Sequence, residues 1–242
     1  LGYGKNKMAF TIENTLNRSI GPSSKTEFEA GGFSYDQLVY NLTGVRSVDM
    51  ASMASPVNVA VGAEARREGY KLFAGEPDSY RFGGVMLPNG LPAPPGAQVF
   101  PGFRPANESN THRTAIGAFV DVEANLTKEL LASIAVRGEH YSDFGDSLAG
   151  KLALRYDFSK EFALRASAQN GFRAPSPQQQ NFTTTSTNFS DGVPYEITTF
   201  KPNDPVAIAL GAKPLDAENS TNISLSVIMR MGGLSLTVDA YG

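Results

Sequence analysis

Strict alternation of apolar and polar residues runs through most of this chain and limits what it can fold into. Ile116, Ala118 and Val120, for example, are separated by single residues, and the flanking positions include Arg113 and Asp121. Successive side chains of a β-strand point to opposite faces, whereas a helix repeats every 3.6 residues. The alternation therefore predicts strands with one apolar and one polar face. Nine segments follow this pattern: residues 7–17, 38–48, 57–68, 113–126, 130–141, 148–158, 162–173, 222–231 and 234–239.

The apolar residues of each segment share one parity, so each row is expected to face one apolar environment. In the first segment the row contains Met8, Phe10 and Ile12, and the opposite row contains Lys7 and Glu13. We expect the apolar row of this segment to lie on the same side of the sheet as the apolar rows of the other segments.

The connections between these segments alternate between short and long. Residues 50–55, 127–129, 159–161 and 232–233 are short, whereas residues 20–36, 75–110 and 174–217 are long and rich in Gly, Pro, Ser, Thr and Asn. Only the connection at 142–147 interrupts the long series. Short turns at one end and long loops at the other are typical of outer-membrane barrels, whose strands span hydrocarbon with about 9–11 residues. The predicted fold is all-β: an antiparallel up-and-down meander forming a partial transmembrane β-barrel.

Charged pairs are confined to the polar rows: Arg137 with Glu139, Arg155 with Asp157, and Glu64 with Arg66. An Arg or Lys on the lipid face at mid-depth costs roughly 2–4 kcal/mol, so these rows are expected to face the lumen. A soluble, secreted or periplasmic β-sandwich that binds glycans or partners is the alternative. Its polar rows would face water and its apolar rows would be buried between two sheets.

Composition excludes several classes of function. The 21 basic and 24 acidic residues give a net charge of −3, so no basic excess favours nucleic acid. Cysteine is absent, and no Gly-x-Ser-x-Gly elbow, His-Glu-x-x-His pair or phosphate loop occurs. We therefore expect no catalysis and no cofactor. The two histidines, His112 and His140, are interpreted as surface polar residues, and no metal site is expected.

One motif carries a resemblance to a known family. The segment Asn170 to Ser176 contains the run Gly171, Phe172, Arg173, Ala174, Pro175 and Ser176, which resembles a signature of TonB-dependent outer-membrane receptors. Further segments are similar to stretches of the same barrels, in the same order: residues 62–68, 74–80, 137–145, 150–156, 212–215 and 218–222.

The resemblance implies a barrel of about 22 strands whose lumen is closed by a plug domain. Such receptors bind a scarce nutrient, commonly a ferric siderophore, cobalamin or a glycan, and import it with energy from the TonB complex. Nine strands cannot close that barrel. We therefore expect residues 1–242 to be a fragment of the barrel domain, without the plug, the TonB-binding segment or a terminal aromatic strand. Its lipid rows and open edges predict that the isolated fragment self-associates.

Parity also predicts the surroundings of the motif. Phe172 continues the lipid-facing row of Phe162 and Leu164, where an aromatic girdle is expected. Arg173 continues the lumen row and is expected to pair with a neighbouring carboxylate or with the plug. Pro175 cannot donate a ladder hydrogen bond, so strand pairing should end there.

Ligand contacts, in a receptor of this class, are expected from the long loops and the upper lumen. Aromatic and cationic side chains suit an anionic or polyaromatic chelate, although they also serve loop packing. The tract 178–185 is interpreted as a low-complexity loop. The candidate ligand-binding residues are Tyr80, Arg81, Phe100, Phe103, Arg104, Tyr141, Arg173, Phe182 and Tyr195.

Overall fold

A computed structural model describes residues 1–98, 100–190 and 193–242. Val99, Asp191 and Gly192, which belong to the predicted long loops, lie outside the described residues. The strands are β1 (Gly2–Glu13), β2 (Glu27–Val48), β3 (Val57–Phe73), β4 (Ser109–Asn125), β5 (Leu130–Tyr141), β6 (Gly145–Asp157), β7 (Phe162–Arg173), β8 (Thr184–Ser190), β9 (Val193–Thr199), β10 (Glu218–Met231) and β11 (Leu234–Tyr241).

All nine predicted strands pair in one antiparallel sheet, in the order β1-β2-β3-β4-β5-β6-β7-β10-β11. β8 and β9 form a separate hairpin within the last long loop. The described residues thus form one open meander and not two facing sheets of a sandwich. The prediction of a partial β-barrel is confirmed.

The connections also sort by length as predicted. Residues 49–56, 126–129, 158–161 and 232–233 form the turn end of the sheet, and residues 14–26, 74–108 and 174–217 belong to the loop end. The predicted start of β2 at Leu38 was wrong, because this strand begins at Glu27. Residues 27–37 pair with β1 on one side, and residues 32–37 pair with β3 on the other. The nine-stranded sheet, called the wall below, therefore continues beyond the apolar segment.

The apolar rows of the central strands form one continuous exposed surface. Ile134 pairs with Leu152, which in turn pairs with Ala168. Ile134 and Leu152 are 53% and 48% exposed, and Ile116 on β4 is 64% exposed. In β4 the opposite row is buried at Ser109, Arg113, Ala115 and Gly117, toward the loop end. The side that bears the exposed row is called the outer face below, and the opposite side is called the inner face.

The predicted orientation of β1 was wrong. Met8 pairs with Phe33, which pairs with Leu72, and this row continues onto the inner face of β4. The register shifts between Ala9 and Thr11, where a β-bulge interrupts the ladder. The apolar row of β1 therefore packs against aromatic loop residues inside the wall, and Lys7 lies on the outer face, over the ring of Phe73.

The last long loop carries more regular structure than expected. The tract 178–185 was predicted to be a low-complexity loop, but it contains most of helix α1 (Pro177–Asn181) and the start of β8. A second short helix, α2, spans Pro205–Ala209. Across the described ranges, none of the helices has the length and apolar character needed to cross a membrane.

Candidate functional site

A buried ion pair between neighbouring strands anchors the inner face at the loop end. Glu68 of β3 lies opposite Arg113 of β4, and Arg113 Nε donates to Glu68 Oε2 at 2.6 Å. The Tyr35 hydroxyl donates to the other oxygen of the same carboxylate. Both charged side chains are less than one-tenth exposed. Because a buried charge is costly unless it is paired and hydrogen-bonded, these partners need one another.

The network extends along the inner face toward the turn end. Arg66 donates to the Tyr141 hydroxyl at 2.9 Å, and that hydroxyl donates to Glu139 at 2.7 Å. Arg137 pairs with Glu139 and lies 3.4 Å from Glu64 on β3. The pairs predicted from sequence spacing are thus formed, and they are also linked across strands. Arg155 and Asp157 form a further pair with a 2.7 Å contact.

The family motif makes the transition from wall to loop. The backbone pairing of β6 with β7 ends at Lys151 and Gln169, and the Asn170 side chain then replaces it. Asn170 accepts from the Gly150 amide at 2.7 Å and donates to the Leu148 carbonyl at 2.9 Å. Beyond Asn170 the two strands separate, while residues 171–173 stay paired with β10 until β7 ends at Arg173.

Phe172 does not act as the purely lipid-facing ring that its parity predicts. Its ring packs edge-on against Tyr141, with centroids 6.0 Å apart, and Tyr141 belongs to the inner network. Pairing with β6 has already ended at this point, and Phe172 stays paired only with Asn219 of β10.

β7 ends at Arg173, two residues before Pro175, and Ser176 is the N-cap of helix α1. The Ser176 hydroxyl accepts from the Gln179 amide at 3.1 Å, and the Gln179 side chain accepts from the Ser176 amide at 2.7 Å. This reciprocal arrangement is a capping box, with Pro177 in the first helical turn. The predicted end of β-pairing at Pro175 is consistent with this geometry.

Arg113 also holds this loop against the wall. Its Nη1 donates to the Pro175 carbonyl at 2.6 Å and lies 3.5 Å from Asp143. Gln180 of α1 donates to the same Asp143 carboxylate at 2.7 Å. One guanidinium therefore ties β3 and the start of the last long loop together, and it also reaches the turn between β5 and β6.

Three of the candidate ligand-binding residues converge in one aromatic cluster. Phe100 and Phe103 from the 74–108 loop lie 5.7 Å apart, and Phe182 lies 6.2 Å from Phe103. Phe10 of β1 touches Phe100, Phe103 and Phe33 at 5.8–6.2 Å between centroids. The rings bring two long loops against the inner face of β1 and β2. Phe103 is buried, whereas Phe100 keeps 37% of its surface exposed.

Arg104 joins the same loop to the β8–β9 hairpin. Its guanidinium forms two bonds to the Glu196 carboxylate, at 2.5 and 3.1 Å. The hydrogen bond from Arg104 holds the pKa of Glu196 below its ordinary value. Tyr195, the neighbour of Glu196 on β9, is exposed.

Tyr80 and Arg81 lie outside the aromatic cluster and belong to a second loop assembly. Arg81 pairs with Asp78 at 2.5 Å, and its carbonyl accepts from the side chain of Asn17 at 2.9 Å. Asn17 is fully buried and also donates to the Asp78 carbonyl at 2.9 Å. These bonds fasten the 14–26 loop to the 74–108 loop.

The remaining candidates lie apart from one another. Tyr141 is buried in the charged network, and Arg173 lies at the exposed rim, 3.7 Å from Glu218. The pairing of Arg173 with a neighbouring carboxylate agrees with its predicted structural role. Ligand binding by all nine candidates stays a prediction.

Sequence reasoning missed several residues of this region. Phe10 was assigned to the lipid face, and Phe33, Tyr35 and Tyr70 were not selected at all. Glu68 and Arg113 were noted only as members of polar rows. Their opposite charges on adjacent strands were the available signal, but the pairing register was needed to bring them together.

Metal binding finds no support in the described ranges. No group of three or more His, Asp or Glu side chains there could hold an ion. His140 lies 2.7 Å from Asp146, and both side chains are exposed.

The whole chain matches a known family. The model of the TonB-dependent receptor-like β-barrel matches residues 2–242, so this chain belongs to that family, whose members are outer-membrane transport receptors. No curated protein matches the sequence.

Solved structures share the fold. A mutant of the ferric enterobactin receptor from Pseudomonas aeruginosa is 15% identical with a TM-score of 0.63, and the alignment covers 99% of this chain and 31% of that one. The siderophore receptor PirA from Acinetobacter baumannii is 14% identical with a TM-score of 0.62 and the same coverage. The ferric yersiniabactin uptake receptor FyuA from Yersinia pestis is 14% identical with a TM-score of 0.50, again with 99% and 31% covered. The chain thus spans about a third of these receptors.

Proposed function

We propose that this chain forms part of the wall of an outer-membrane receptor that binds a scarce nutrient and imports it with energy from the TonB complex. The observation that supports this most directly is the family match over residues 2–242. In the intact protein, β1 and β11 would pair with further strands, and the inner face would surround a plug domain. The TonB complex would act through a segment outside this chain.

A ferric chelate is the nutrient class we favour over cobalamin or a glycan. The solved structures of similar fold carry siderophore receptor names. The loop end adds aromatic rings and cations, such as Phe100, Arg104 and Tyr195, which suit an anionic or polyaromatic chelate. The exposed part of Phe100 lies beside the inner face, where an incoming ligand would pass.

Transport by the full-length receptor tests this proposal. Cells that express it in an iron-limited medium should take up radioactive iron from a chelate, and deletion of TonB should abolish that uptake. Uptake that continues without TonB, or a receptor that imports only cobalamin or a glycan, would contradict the corresponding part of the proposal.

A loop variant and a turn variant locate the ligand contacts. Deletion of residues 75–107 removes Phe100, Phe103 and Arg104 without cutting into β4, so ligand binding should fall sharply. Shortening the 50–55 turn is the matched control, because it alters a connection at the opposite end of the sheet. Surface labelling should show equal amounts of both variants, and equal binding by both would argue against a role for the loop.

A further inference from the structure

Four exposed cations share the outer face at the loop end of the sheet. They are Lys5 and Lys7 of β1 and Arg67 and Lys71 of β3, and they are called the basic patch below. Residues two positions apart along a strand share a face, so Arg67 and Lys71 lie on the side of Ala65 and its exposed partner Ile116. Lys7 pairs with Ser34, which pairs with Lys71, so the β1 cations lie on this side as well.

The cations of the basic patch have no partners of opposite charge. None of the four forms an ion pair with a carboxylate of the described residues. Asp36 is the one carboxylate in their ladder rows, and it lies over Gly69, where a Cβ atom would come 2.7 Å from Asp36 Oδ2. Four positive charges against one negative charge leave the patch with an excess of three.

The carboxylates nearest to the patch lie farther toward the loops. Glu76 accepts from Lys25 at 2.5 Å, and Glu108 accepts from the Ala74 amide at 3.0 Å. Glu29 lies beyond the β-bulge between β1 and β2. These groups border the basic patch on its loop side and leave its excess charge uncompensated.

The depth of the basic patch matches the edge of the hydrocarbon. Arg67 is two residues from Ala65, which pairs with the exposed Tyr40 on one side and with the exposed Ile116 on the other. Two residues of a strand span about 7 Å, so the cations begin directly beyond the apolar rows. The long loops of outer-membrane barrels are extracellular, so this edge meets the outer leaflet.

The rest of the outer face has no comparable group. The outer-face positions of β4, β5, β6, β7, β10 and β11 that the structure describes hold no Lys or Arg. Arg46 of β2 is exposed on the outer face near the turns, opposite Val59, and it has no second cation beside it. The basic patch is therefore a local feature of β1 to β3.

We propose that the basic patch binds the phosphate groups of outer-leaflet lipids. Lys and Arg side chains can keep their apolar stems against hydrocarbon while their charged ends reach the headgroups. Clusters of such side chains beside a membrane bind anionic headgroups, and hydrogen bonds from a cation to phosphate are strong. The inference goes beyond the proposed function, because it concerns the outside of the barrel and holds whatever nutrient is imported.

Native mass spectrometry of the purified full-length receptor, titrated in detergent with dioleoylphosphatidic acid, tests the proposal. Dioleoylglycerol has the same acyl chains without the phosphate, and inorganic phosphate has the anion without the chains. Arg67 and Lys71 are the residues to change, because both neighbours of β3 belong to this chain, whereas β1 is at an open edge. Arg46→Gln is the matched control, since it removes an exposed cation from the same face near the turns.

Phosphatidic acid should bind more tightly than dioleoylglycerol. Arg67→Gln and Lys71→Gln should each weaken phosphatidic acid binding about fivefold, and the double variant about thirtyfold. Arg46→Gln should leave the affinity unchanged. Arg67→Lys keeps the charge and should keep most of the binding, which separates loss of charge from loss of fold.

Three results would overturn the proposal. Equal binding of the two lipids would assign the affinity to the acyl chains alone. An equal loss in Arg46→Gln would assign it to any exposed cation. Displacement of the lipid by inorganic phosphate at equal concentration would make the patch a site for free anions.

Discussion

The central wall and the loop end of this molecule follow the same alternation but place their apolar rows on opposite sides. Across β4 to β7 the apolar row forms the exposed outer face, as Ile116 and Ile134 illustrate. In β1 the apolar row turns inward, where Phe10 meets Phe33 and the loop residue Phe103.

The difference teaches that alternation identifies two faces without saying what covers each one. In the wall the apolar row faces lipid, because the opposite row carries a network of charged side chains. At the loop end, two long loops fold back over the inner face and supply their own aromatic cover. The same period-two pattern therefore has different meanings within one sheet.

The largest expected effect lies where the two regions join, at Arg113. Arg113→Leu leaves Glu68 buried without its closest cation and frees the Pro175 carbonyl, so unfolding free energy should fall by about 3–5 kcal/mol. The measurement is urea unfolding of the full-length receptor in phospholipid vesicles. Proteolysis within residues 174–217 should also become faster, because α1 loses its tie to the wall.

Arg165→Leu is the matched control for Arg113. Arg165 also lies on the inner face, but its side chain is 51% exposed and it pairs with Asp239 at 3.3 Å. An exposed pair of this kind contributes at most about 1 kcal/mol. Equal losses in the two variants would show that the wall and the loops are not joined through Arg113.

Two neighbouring residues of β5 distinguish the faces of the wall. Ile134→Arg places a cation on the outer face near mid-depth and should cost about 2–4 kcal/mol. Ser133→Arg places the same side chain on the inner face, opposite Glu123, and should be nearly neutral. The same unfolding assay measures both. Similar costs would contradict the assignment of the outer face to lipid.

Most of the wall was predictable from the sequence, because its strands repeat a local rule. The parity of Ile116 or Leu152 depends only on its neighbours along the chain and on a lipid face shared by consecutive strands. The alternation of short and long connections then predicted an antiparallel meander, in which each strand pairs with the next one in the chain. The inner pairs Arg137 with Glu139 and Arg155 with Asp157 were also found, since their spacing of two residues places them on one face.

The loop end was less predictable, because its contacts join residues that are far apart in the chain. Phe10, Phe103 and Phe182 meet only after two loops fold back, and no local pattern links them. The bulge beside Phe10 and the early end of the β6–β7 ladder before Phe172 are departures from ideal pairing. The bulge shifts the parity of β2, because Met8 pairs with Phe33 before it and Ile12 pairs with Phe28 after it, and parity alone cannot anticipate either departure.

A substitution of Asn17 tests whether the stability of the loops depends on buried hydrogen bonds or on packing of the aromatic rings. Asn17→Ala removes the donor to two carbonyls, those of Asp78 and Arg81, and should lower local stability by about 1–3 kcal/mol. Hydrogen exchange of residues 14–26 and 77–85 measures the local opening. Asn110→Ala is the control, because this exposed side chain forms no hydrogen bond within the described residues. Unchanged exchange in Asn17→Ala would assign the loop order to aromatic packing alone.

The smallest expected effect is the pH dependence of the β8–β9 hairpin. Because the folded pKa of Glu196 lies below its ordinary value of 4.5, the Arg104 pair stabilises the hairpin above that pH and is lost as the pH falls through the lower folded value. The Glu196 side chain is half exposed, so Glu196→Gln should cost only about 0.2–1 kcal/mol at neutral pH. Hydrogen exchange of residues 184–190 and 193–199, compared with the parent at each pH, measures this difference.

The difference between Glu196→Gln and the parent should shrink toward zero below pH 4.5. Glu27→Gln, a control at an exposed position, should show no difference at any pH. A hydrogen-exchange difference that grows on acidification would mean that groups other than the Arg104–Glu196 pair hold the hairpin. The position of the hairpin beside the aromatic cluster would then be due to those groups.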